Sequence, residues 1–253
     1  MKVISFHLKG KMAHFRRYYS NSSALTYTIP PRTTIIGIIA GILGYERDSY
    51  YEEFSLERCR ISVALCSSIK KIVQKLNLLK VESKNDLNGS KEHHSQTATE
   101  LIIPQDIRTG CLDYQIWLNH EAKEIMNKLE QLLNVFPHAY CSKRISMGLG
   151  TAYNVGWIEY DGIFEAQDYE GTNLELISSV IPIAKLKRIY TEKMTDGRYA
   201  VVKEELPLEF DKDRKITSKG IGDIIFDING KPIPASVVSC VKLDNDKTIM
   251  WTE

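Results

Sequence analysis

The sequence predicts an α+β fold, a ferredoxin-like sandwich in which two helices cover one face of an antiparallel sheet. Two observations predict it. The first 160 residues show strand, helix, strand, strand, helix and strand patterns in that order. Hydrophobic residues make up 43% and charged residues 26% of the chain, as in soluble globular proteins with a packed core. We therefore divide the chain into a ferredoxin-like domain, residues 1–160, and a β-rich part, residues 161–253.

The first strand and the first helix lie in the N-terminal 44 residues. Apolar and polar side chains alternate over residues 2–9, which is strand periodicity. Residues 30–31 are both proline and end any strand there. Thr33 or Thr34 is expected to cap a helix through IIGIIAGIL, with Gly44 as its C-terminal signal. Because this helix is apolar on nearly all sides, we expect it to be buried.

The middle of the chain supplies the next strands. Residues 59–72, CRISVALCSSIKKI, read as the second strand, and residues 99–107 and 111–118 as extended, alternating segments. Residues 82–98 are polar and aperiodic, so we predict a mobile loop there.

The second helix is the clearest in the sequence. Residues 120–136 place apolar side chains on one stripe, Asn119 is expected to cap the helix, and Pro137 to end it. Beyond residue 160 the chain consists mostly of short strand-like runs separated by turns. Residues 185–205 are open to two interpretations, an inserted β-hairpin or a plain surface hairpin.

Charge is distributed unevenly along the sequence. The chain holds 33 Lys+Arg against 32 Asp+Glu, yet the first 45 residues contain six basic residues and no acidic one. Residues 58–81 and 131–158 also lack acidic residues. Single-signed segments on a nearly neutral chain favour a basic face that meets a polyanion, and we include Lys70, Lys71, Lys143 and Arg144 in it.

The loop AHFRRYYSNSSALTYTIPPRTT, residues 13–34, combines arginines with aromatic rings. Arginine forks bind phosphate through paired hydrogen bonds, and the rings of Phe15, Tyr18, Tyr19 and Tyr27 offer stacking surfaces for unpaired bases. The alternative is a loop whose aromatic residues cover the edge of the core while its arginines are merely solvated.

A glycine-rich stretch follows Lys143 and Arg144. In RISMGLGTAYNVG, Gly148 and Gly150 permit positive φ and close approach of backbone N–H groups to an anion. The third glycine of a dinucleotide fingerprint would fall at Tyr153, so that motif is not met. A purely structural bend is the alternative.

Other chemistry has little support in the sequence. The five cysteines are widely spaced without a CxxC pair, so they suggest neither disulfides nor a zinc site, and no phosphate-binding loop motif implies a nucleotide cofactor. We expect no cofactor and no metal. His14 is the histidine of the basic loop, but no catalytic set has informative spacing, and Glu204 with Glu205 reads as an ordinary surface pair. The longest apolar run, residues 35–43, is too short for a membrane span.

These motifs together resemble the fifth CRISPR-associated (Cas) protein family, the RAMP-superfamily subunit of type I Cascade complexes. The resemblance rests on AHFRRYYSNSSALTYTIPPRTTIIGIIAGILG, TELIIPQDI, the long amphipathic helix, MGLGTAYNVGWI and the final TIMWTE, and the pattern is most similar to type I-B members. It implies an RRM-like RAMP fold with an inserted β-hairpin thumb.

The resemblance also implies a function in antiviral defence in the cytoplasm. Such a subunit grips the 5′ handle of the CRISPR RNA (crRNA), caps the filament of Cascade backbone subunits, adjoins the large subunit, and meets target DNA only indirectly. RNA contact is carried over to the positions that match the family motifs: His14, Phe15, Arg16, Arg17, Tyr18, Tyr19, Pro31, Arg32, Thr33, Thr34, Met147, Gly148, Gly150 and Tyr153.

Two other functions stay open. One branch of the family, in type I-C systems, cleaves precursor RNA with a Tyr/Lys/His set; here Arg144 follows Lys143 where a histidine would be sought. We therefore expect no catalytic residues and a non-enzymatic subunit. The third possibility is a subunit whose basic face meets acidic protein.

Overall fold

The computed structural model describes residues 1–20, 24–77, 81, 83–88, 90, 96–135, 147–170, 173–195 and 198–253. Its strands are β1 (Lys2–Gly10), β2 (Phe15–Arg16), β3 (Thr26–Tyr27), β4 (Cys59–Leu65), β5 (Ile69–Leu76), β6 (Thr97–Pro104), β7 (Leu112–His120), β8 (Gly156–Glu170), β9 (Glu175–Ile177), β10 (Ile181–Pro182), β11 (Leu186–Ile189), β12 (Val201–Pro207), β13 (Ile221–Asp227), β14 (Ile233–Val237), β15 (Ser239–Leu243) and β16 (Thr248–Ile249). Its helices are α1 (Arg32–Leu43), α2 (Lys84–Asn88) and α3 (Lys123–Val135), with 3-10 turns at Ile183–Lys185 and Thr191–Lys193.

Nine strands form the main sheet, in the order β11-β14-β9-β16-β15-β8-β1-β7-β4. The four strands β8, β1, β7 and β4 pair antiparallel throughout, with α1 in the chain between β1 and β4 and α3 between β7 and β8. The predicted α+β class, with a large and mostly antiparallel sheet, is confirmed.

Side-chain alternation along β1 organises the two faces of this sheet. Ile4, Phe6 and Leu8 enter the main core, which also contains the buried residues of α1 and α3. Val3 on the reverse face joins a second cluster with Trp117 and with residues of β15 and β16. Each face of the sheet therefore has an apolar covering over part of its area.

The long strand β8 joins the two parts of the chain. Its first half pairs with β1 and its second half with β15. The boundary expected at residue 160 falls inside this continuous strand. Residues 161–253 contribute only strands and 3-10 turns among the residues that the structure describes.

The N-terminal caps predicted for α1 and for α3 are both absent from the structure. Helix α1 begins at Arg32 and is preceded by Pro31 without a side-chain cap, so Thr33 and Thr34 lie inside the first turn. Gly44, at φ 83°, ends the helix as predicted. Asn119 lies in β7, where its amide donates to the Lys2 carbonyl oxygen at 2.8 Å, so it cannot cap α3.

Three sequence segments also fold differently. Residues 59–72 form two strands, because β4 ends at Leu65 and β5 belongs to a separate hairpin with β6. The predicted loop 82–98 contains α2 and the first residues of β6, and part of it lies outside the described residues. The predicted end of the second helix at Phe136 and Pro137 also lies outside them. Residues 185–205 are not a hairpin, since β11 pairs with β14 and β12 with β13.

Within the described ranges, no helix combines the length and the apolar character needed to cross a membrane.

Candidate nucleic-acid interface

The aromatic loop, residues 13–27, is fixed to the fold by backbone pairing. Its strands β2 and β3 pair Phe15 with Tyr27. Ala13 exchanges hydrogen bonds of 3.0 and 2.9 Å with Ile102 of β6, and Ala24 accepts one of 2.9 Å from Glu100. The loop is thus held against the β5–β6 hairpin rather than extending as a free arm.

Three aromatic members of this loop lie in the interior. Phe15 is 2% exposed and meets Tyr114 edge-on at 5.9 Å between ring centroids; Tyr27 is fully buried. His14 is also buried, with Nδ1 2.7 Å from the Glu100 carbonyl oxygen. Burial lowers the pKa of His14 below its usual range, so the ring adds no positive charge at neutral pH. The predicted RNA contacts of His14 and Phe15, and the predicted stacking surface of Tyr27, are corrected accordingly, because these side chains are buried in the core.

Arg32 is buried as well, at 2% exposure. Its guanidinium donates hydrogen bonds to four carbonyl oxygens, those of Leu208 (2.9 Å), Phe54 (3.0 Å), Ser55 (3.0 Å) and Cys59 (2.6 Å), and its Nε lies 3.7 Å from a Glu253 carboxylate oxygen. The predicted contact of Arg32 with RNA is therefore corrected. This arginine instead connects the start of α1 to Leu208 and Glu253 of the β-rich part. Pro31 is buried beside it, and Thr33 and Thr34 are half-buried.

The remaining residues of the motif form an exposed surface. Arg16 is exposed and donates to the Ser20 carbonyl oxygen at 2.9 Å. Tyr18 and Tyr19 are 42% and 49% exposed and meet edge-on at 5.1 Å. Arg17 Nη1 donates to the Tyr19 hydroxyl at 2.6 Å, which fixes the orientation of that ring. This set matches the predicted combination of cations and stacking surfaces.

A buried carboxylate organises the surface from below. Glu204 of β12, 7% exposed, accepts hydrogen bonds from Arg17 Nη2 (3.0 Å) and from the Thr28 backbone N–H (2.8 Å) and hydroxyl (3.0 Å). Lys71 Nζ lies 3.4 Å from the same carboxylate. The prediction that Glu204 is an ordinary surface residue is wrong. Alternate side chains of β12 point inward, and Glu204 lies among them between Val202 and Leu206; this pattern was the signal that could have identified it.

Strand β5 adds its lysines to the same surface. Lys71 Nζ donates to the Thr26 carbonyl oxygen at 2.9 Å, the atom that also accepts from Arg17 Nε at 3.4 Å. Lys70 is exposed and donates to the Gln105 carbonyl oxygen at 3.0 Å. An open pocket of about 320 Å³, hereafter the lysine pocket, lies here; it is lined by Thr28, Ile69, Lys70, Lys71, Val202, Lys203, Glu204 and Ile228.

The glycine-rich stretch packs directly on the aromatic loop. Leu149 accepts a hydrogen bond from the His14 backbone N–H at 3.0 Å. Gly150 has φ +87°, and a Cβ there would lie 2.0 Å from the His14 carbonyl oxygen, so only glycine fits. The close approach that the sequence predicted for an anion is thus made with the protein's own backbone. Tyr153 is 53% exposed and is the aromatic side chain that this loop presents to solvent, next to the exposed Val155.

The other predicted positions near this stretch are half-buried or lie outside the described residues. Met147 and Gly148 are half-buried. Asn154 is 2% exposed, and neither of its amide atoms has a hydrogen-bond partner in the described part of the chain. Lys143 and Arg144 lie outside the described residues. Of the predicted site residues, Arg17 and Lys71 therefore meet at the Thr26 carbonyl oxygen, and Lys70 lines the lysine pocket with Lys71. Arg16, Tyr18 and Tyr19 are exposed in the loop that carries Arg17.

Comparison with known proteins gives one family match. Residues 3–111 match the family model described as "CRISPR-associated protein (Cas_Cas5)". That range contains the aromatic loop, α1 and the β5–β6 hairpin. No curated protein matches the chain.

Solved structures resemble this chain at low sequence identity. A CRISPR protein from Archaeoglobus fulgidus superposes with a TM-score of 0.58 at 12% identity, covering 98% of each chain, and so shares the fold. A chain from a CRISPR RNA-guided surveillance complex gives 0.43 at 16% identity, covering 92% of this chain and 91% of that one. A chain of the Type III-B Cmr-beta complex bound to cognate target RNA and AMPPnP gives 0.44 at 13% identity, with 92% and 86% covered.

Proposed function

We propose that this chain, whose residues 3–111 belong to the CRISPR-associated Cas5 family, is a non-catalytic RNA-binding subunit of a type I CRISPR effector complex. Its ligand is the single-stranded 5′ handle of the crRNA. In this proposal β8, β1, β7 and β4 with α1 and α3 form a ferredoxin-like RAMP domain, and the β5–β6 hairpin is the thumb.

One observation carries the proposal: two sequence segments that were each predicted to bind RNA share one surface. Arg17 of the aromatic loop and Lys71 of β5 both donate to the Thr26 carbonyl oxygen and both face Glu204. Arg16 and Lys70, their neighbours in sequence, are exposed, and among the described residues neither has a carboxylate partner within ion-pair distance. The surface thus carries cations available to phosphate and exposed aromatic rings.

The residues divide the work of binding a short single strand. Arg16 and Lys70 neutralise phosphates, since both are exposed and, within the described chain, bonded only to carbonyl oxygens and to no carboxylate. Tyr18 and Tyr19 offer ring faces to splayed bases, as single-strand binders do. Arg17 and Lys71 are partly neutralised by Glu204, so they mainly hold the surface in shape.

Assembly follows from the same assignment. In a type I complex, a subunit that holds the 5′ handle lies at one end of the filament of backbone subunits and beside the large subunit. Target DNA then meets this chain only indirectly, through the complex. We propose type I-B as the subtype, on the resemblance of the N-terminal motif alone.

Charge removal at the surface tests this proposal. In the double variant Arg16→Gln/Lys70→Gln, we expect affinity for tag-bearing RNA to fall roughly 10- to 30-fold at 0.1 M salt, because two phosphate contacts are lost. The slope of log affinity against log salt should become shallower by about 1.4, at about 0.7 per contact for single strands. Fluorescence anisotropy titrations at several salt concentrations measure both quantities.

The matched control removes the same charge elsewhere. Lys123 at the start of α3 and Lys187 of β11 are also exposed, and neither lines the lysine pocket or the aromatic loop. Lys123→Gln/Lys187→Gln should leave the salt slope within error of the parent. If the two double variants had equal effects, binding would be explained by non-specific charge attraction, and the proposed interface would be contradicted.

A further inference from the structure

The face of the sheet that points away from α1 and α3 carries a cluster of three potential metal ligands. His7 of β1, Cys66 just after β4 and Asp113 of β7 come from three chain segments. One ligand atom from each lies within 4.8 Å of the other two. Leu8 and Tyr114, which neighbour them in sequence, point into the main core, so alternation places His7 and Asp113 on the opposite face from Phe15 and the aromatic loop.

The backbone holds these three positions rigidly. Strand β1 pairs with β7 so that Lys9 lies opposite Asp113 and His7 opposite Gln115. The Cys66 N–H donates to the Asp113 carbonyl oxygen at 2.8 Å, which fixes the residue after β4 against the start of β7. A site built on paired strands keeps its ligands in place before any ion arrives.

We propose that His7, Cys66 and Asp113 bind a tetrahedral transition-metal ion with the chemistry of Zn²⁺, completed by one water molecule. Imidazole, thiolate and carboxylate are the three side-chain ligand types of zinc, and three protein ligands plus water is a common arrangement. A soft thiolate beside imidazole selects against Mg²⁺ and Ca²⁺, which prefer oxygen ligands.

The geometry requires only small side-chain movements. Zinc–ligand bonds of about 2.0–2.3 Å at tetrahedral angles separate the ligand atoms by about 3.3–3.8 Å. His7 Nδ1 and Asp113 Oδ1 are 2.6 Å apart and share a hydrogen bond, so they must part by about 1 Å. The remaining separations are at most 4.8 Å, so they need to shorten by no more than about 1.5 Å. Rotation about side-chain torsions accommodates shifts of this size without moving the strands.

The charges around the cluster also fit a dication. Lys9 Nζ lies 2.6 Å from Glu159 and 3.5 Å from the second oxygen of Asp113. Asp113 and the Cys66 thiolate of the bound state supply two negative charges to a divalent ion. The nearby cations are Lys9 and Lys247, whose Nζ lies 2.8 Å from the Gln115 amide oxygen beside Cys66. Lys9 thereby holds the outer oxygen of Asp113 and leaves Oδ1 facing the site.

The cluster is open to solvent at Cys66, which is exposed. A metal ion can therefore enter from solvent. When it binds, the ion takes the place of the thiol proton, which is released to water.

Cobalt(II), a spectroscopic substitute for zinc, tests the site in the full-length chain. We expect Co²⁺ to produce an ultraviolet thiolate-to-cobalt charge-transfer band and visible bands of tetrahedral intensity, and Zn²⁺ to abolish both by displacement. In Cys66→Ser the charge-transfer band should vanish, and in His7→Gln and Asp113→Asn the affinity should fall at least tenfold. Cys111→Ser, which removes a partly exposed thiol outside the cluster, should leave the spectrum unchanged.

A thermal melt provides a second readout that does not depend on colour. Saturating Zn²⁺ should raise the melting temperature of the parent by roughly 5 °C and leave that of Cys66→Ser unchanged. The proposal is overturned if Co²⁺ gives no thiolate band in the parent, or if the band persists in Cys66→Ser. Binding that needs Cys66 but is unaffected by His7→Gln and Asp113→Asn would also overturn it, because a single surface thiolate would then be responsible.

Discussion

Replacing Arg32 by methionine is expected to lower the free energy of unfolding by about 3–5 kcal/mol, the cost of breaking a buried ionic network by removing one partner. Methionine keeps most of the apolar stem, so the change isolates the guanidinium. Without it, the carbonyl oxygens of Leu208, Phe54, Ser55 and Cys59 lose a shared donor, and the Glu253 carboxylate loses the cation beside it. Urea unfolding followed by circular dichroism measures the loss.

The pH dependence of this loss has a definite sign. Burial raises the pKa of Glu253 even with Arg32 present, and removal of the cation raises it further. A carboxyl group whose folded-state pKa lies above its unfolded value costs stability increasingly as pH rises above the unfolded value. The deficit of Arg32→Met should therefore be larger at pH 8 than at pH 5. Arg16→Met, at an exposed position, is the control and should stay within about 0.5 kcal/mol of the parent; an equal effect of both changes would contradict the structural role of Arg32.

Replacing Glu204 by alanine is expected to destabilise the chain by about 3 kcal/mol. The change leaves the Thr28 N–H and hydroxyl without their acceptor and sets Arg17 and Lys71 facing each other without a counter-ion. Glu204→Gln keeps one carbonyl acceptor and loses only the charge, so we expect about half that effect.

The adjacent residue provides the matched control for Glu204. Glu205 is exposed on the other side of the same strand. Glu205→Ala therefore removes the same side chain and the same charge without changing the interior. It should change the free energy of unfolding by no more than about 0.5 kcal/mol. Comparable losses at both positions would contradict the structural role of Glu204 in holding Arg17, Thr28 and Lys71 together.

Local patterns predicted the framework of this fold well. The alternation over residues 2–9 identified β1 and its two faces, and Gly44 marked the end of α1, because both signals depend on neighbours within a few residues. The order β1, α1, β4, β7, α3 and β8, which makes up the main sheet and its helices to residue 160, followed from the same kind of signal, whereas β2, β3 and α2 were not predicted. The split of residues 59–72 was missed because the three residues between β4 and β5 carry no proline or glycine.

The distribution of roles within the aromatic loop was not predictable in the same way. Arg16 and Arg32 look alike in sequence, yet one is exposed and the other is fully enclosed. The difference is made by partners far along the chain, such as Leu208, 176 residues from Arg32. Glu204 likewise reads as half of an acidic pair until Arg17, Thr28 and Lys71 are brought around it. Composition predicted a basic and aromatic surface, and long-range packing decided which of the predicted residues are exposed.

The most direct test of the central claim is a binding titration with an RNA that carries the 5′ tag derived from the host's CRISPR repeat. A scrambled RNA of equal length is the control, both are titrated at two salt concentrations, and each sample is also run on a denaturing gel. We expect tighter binding of the tag RNA at both salt concentrations, with the RNA intact on the gel. Equal affinity for the two RNAs would contradict handle recognition, and a shortened RNA product would contradict the non-catalytic role.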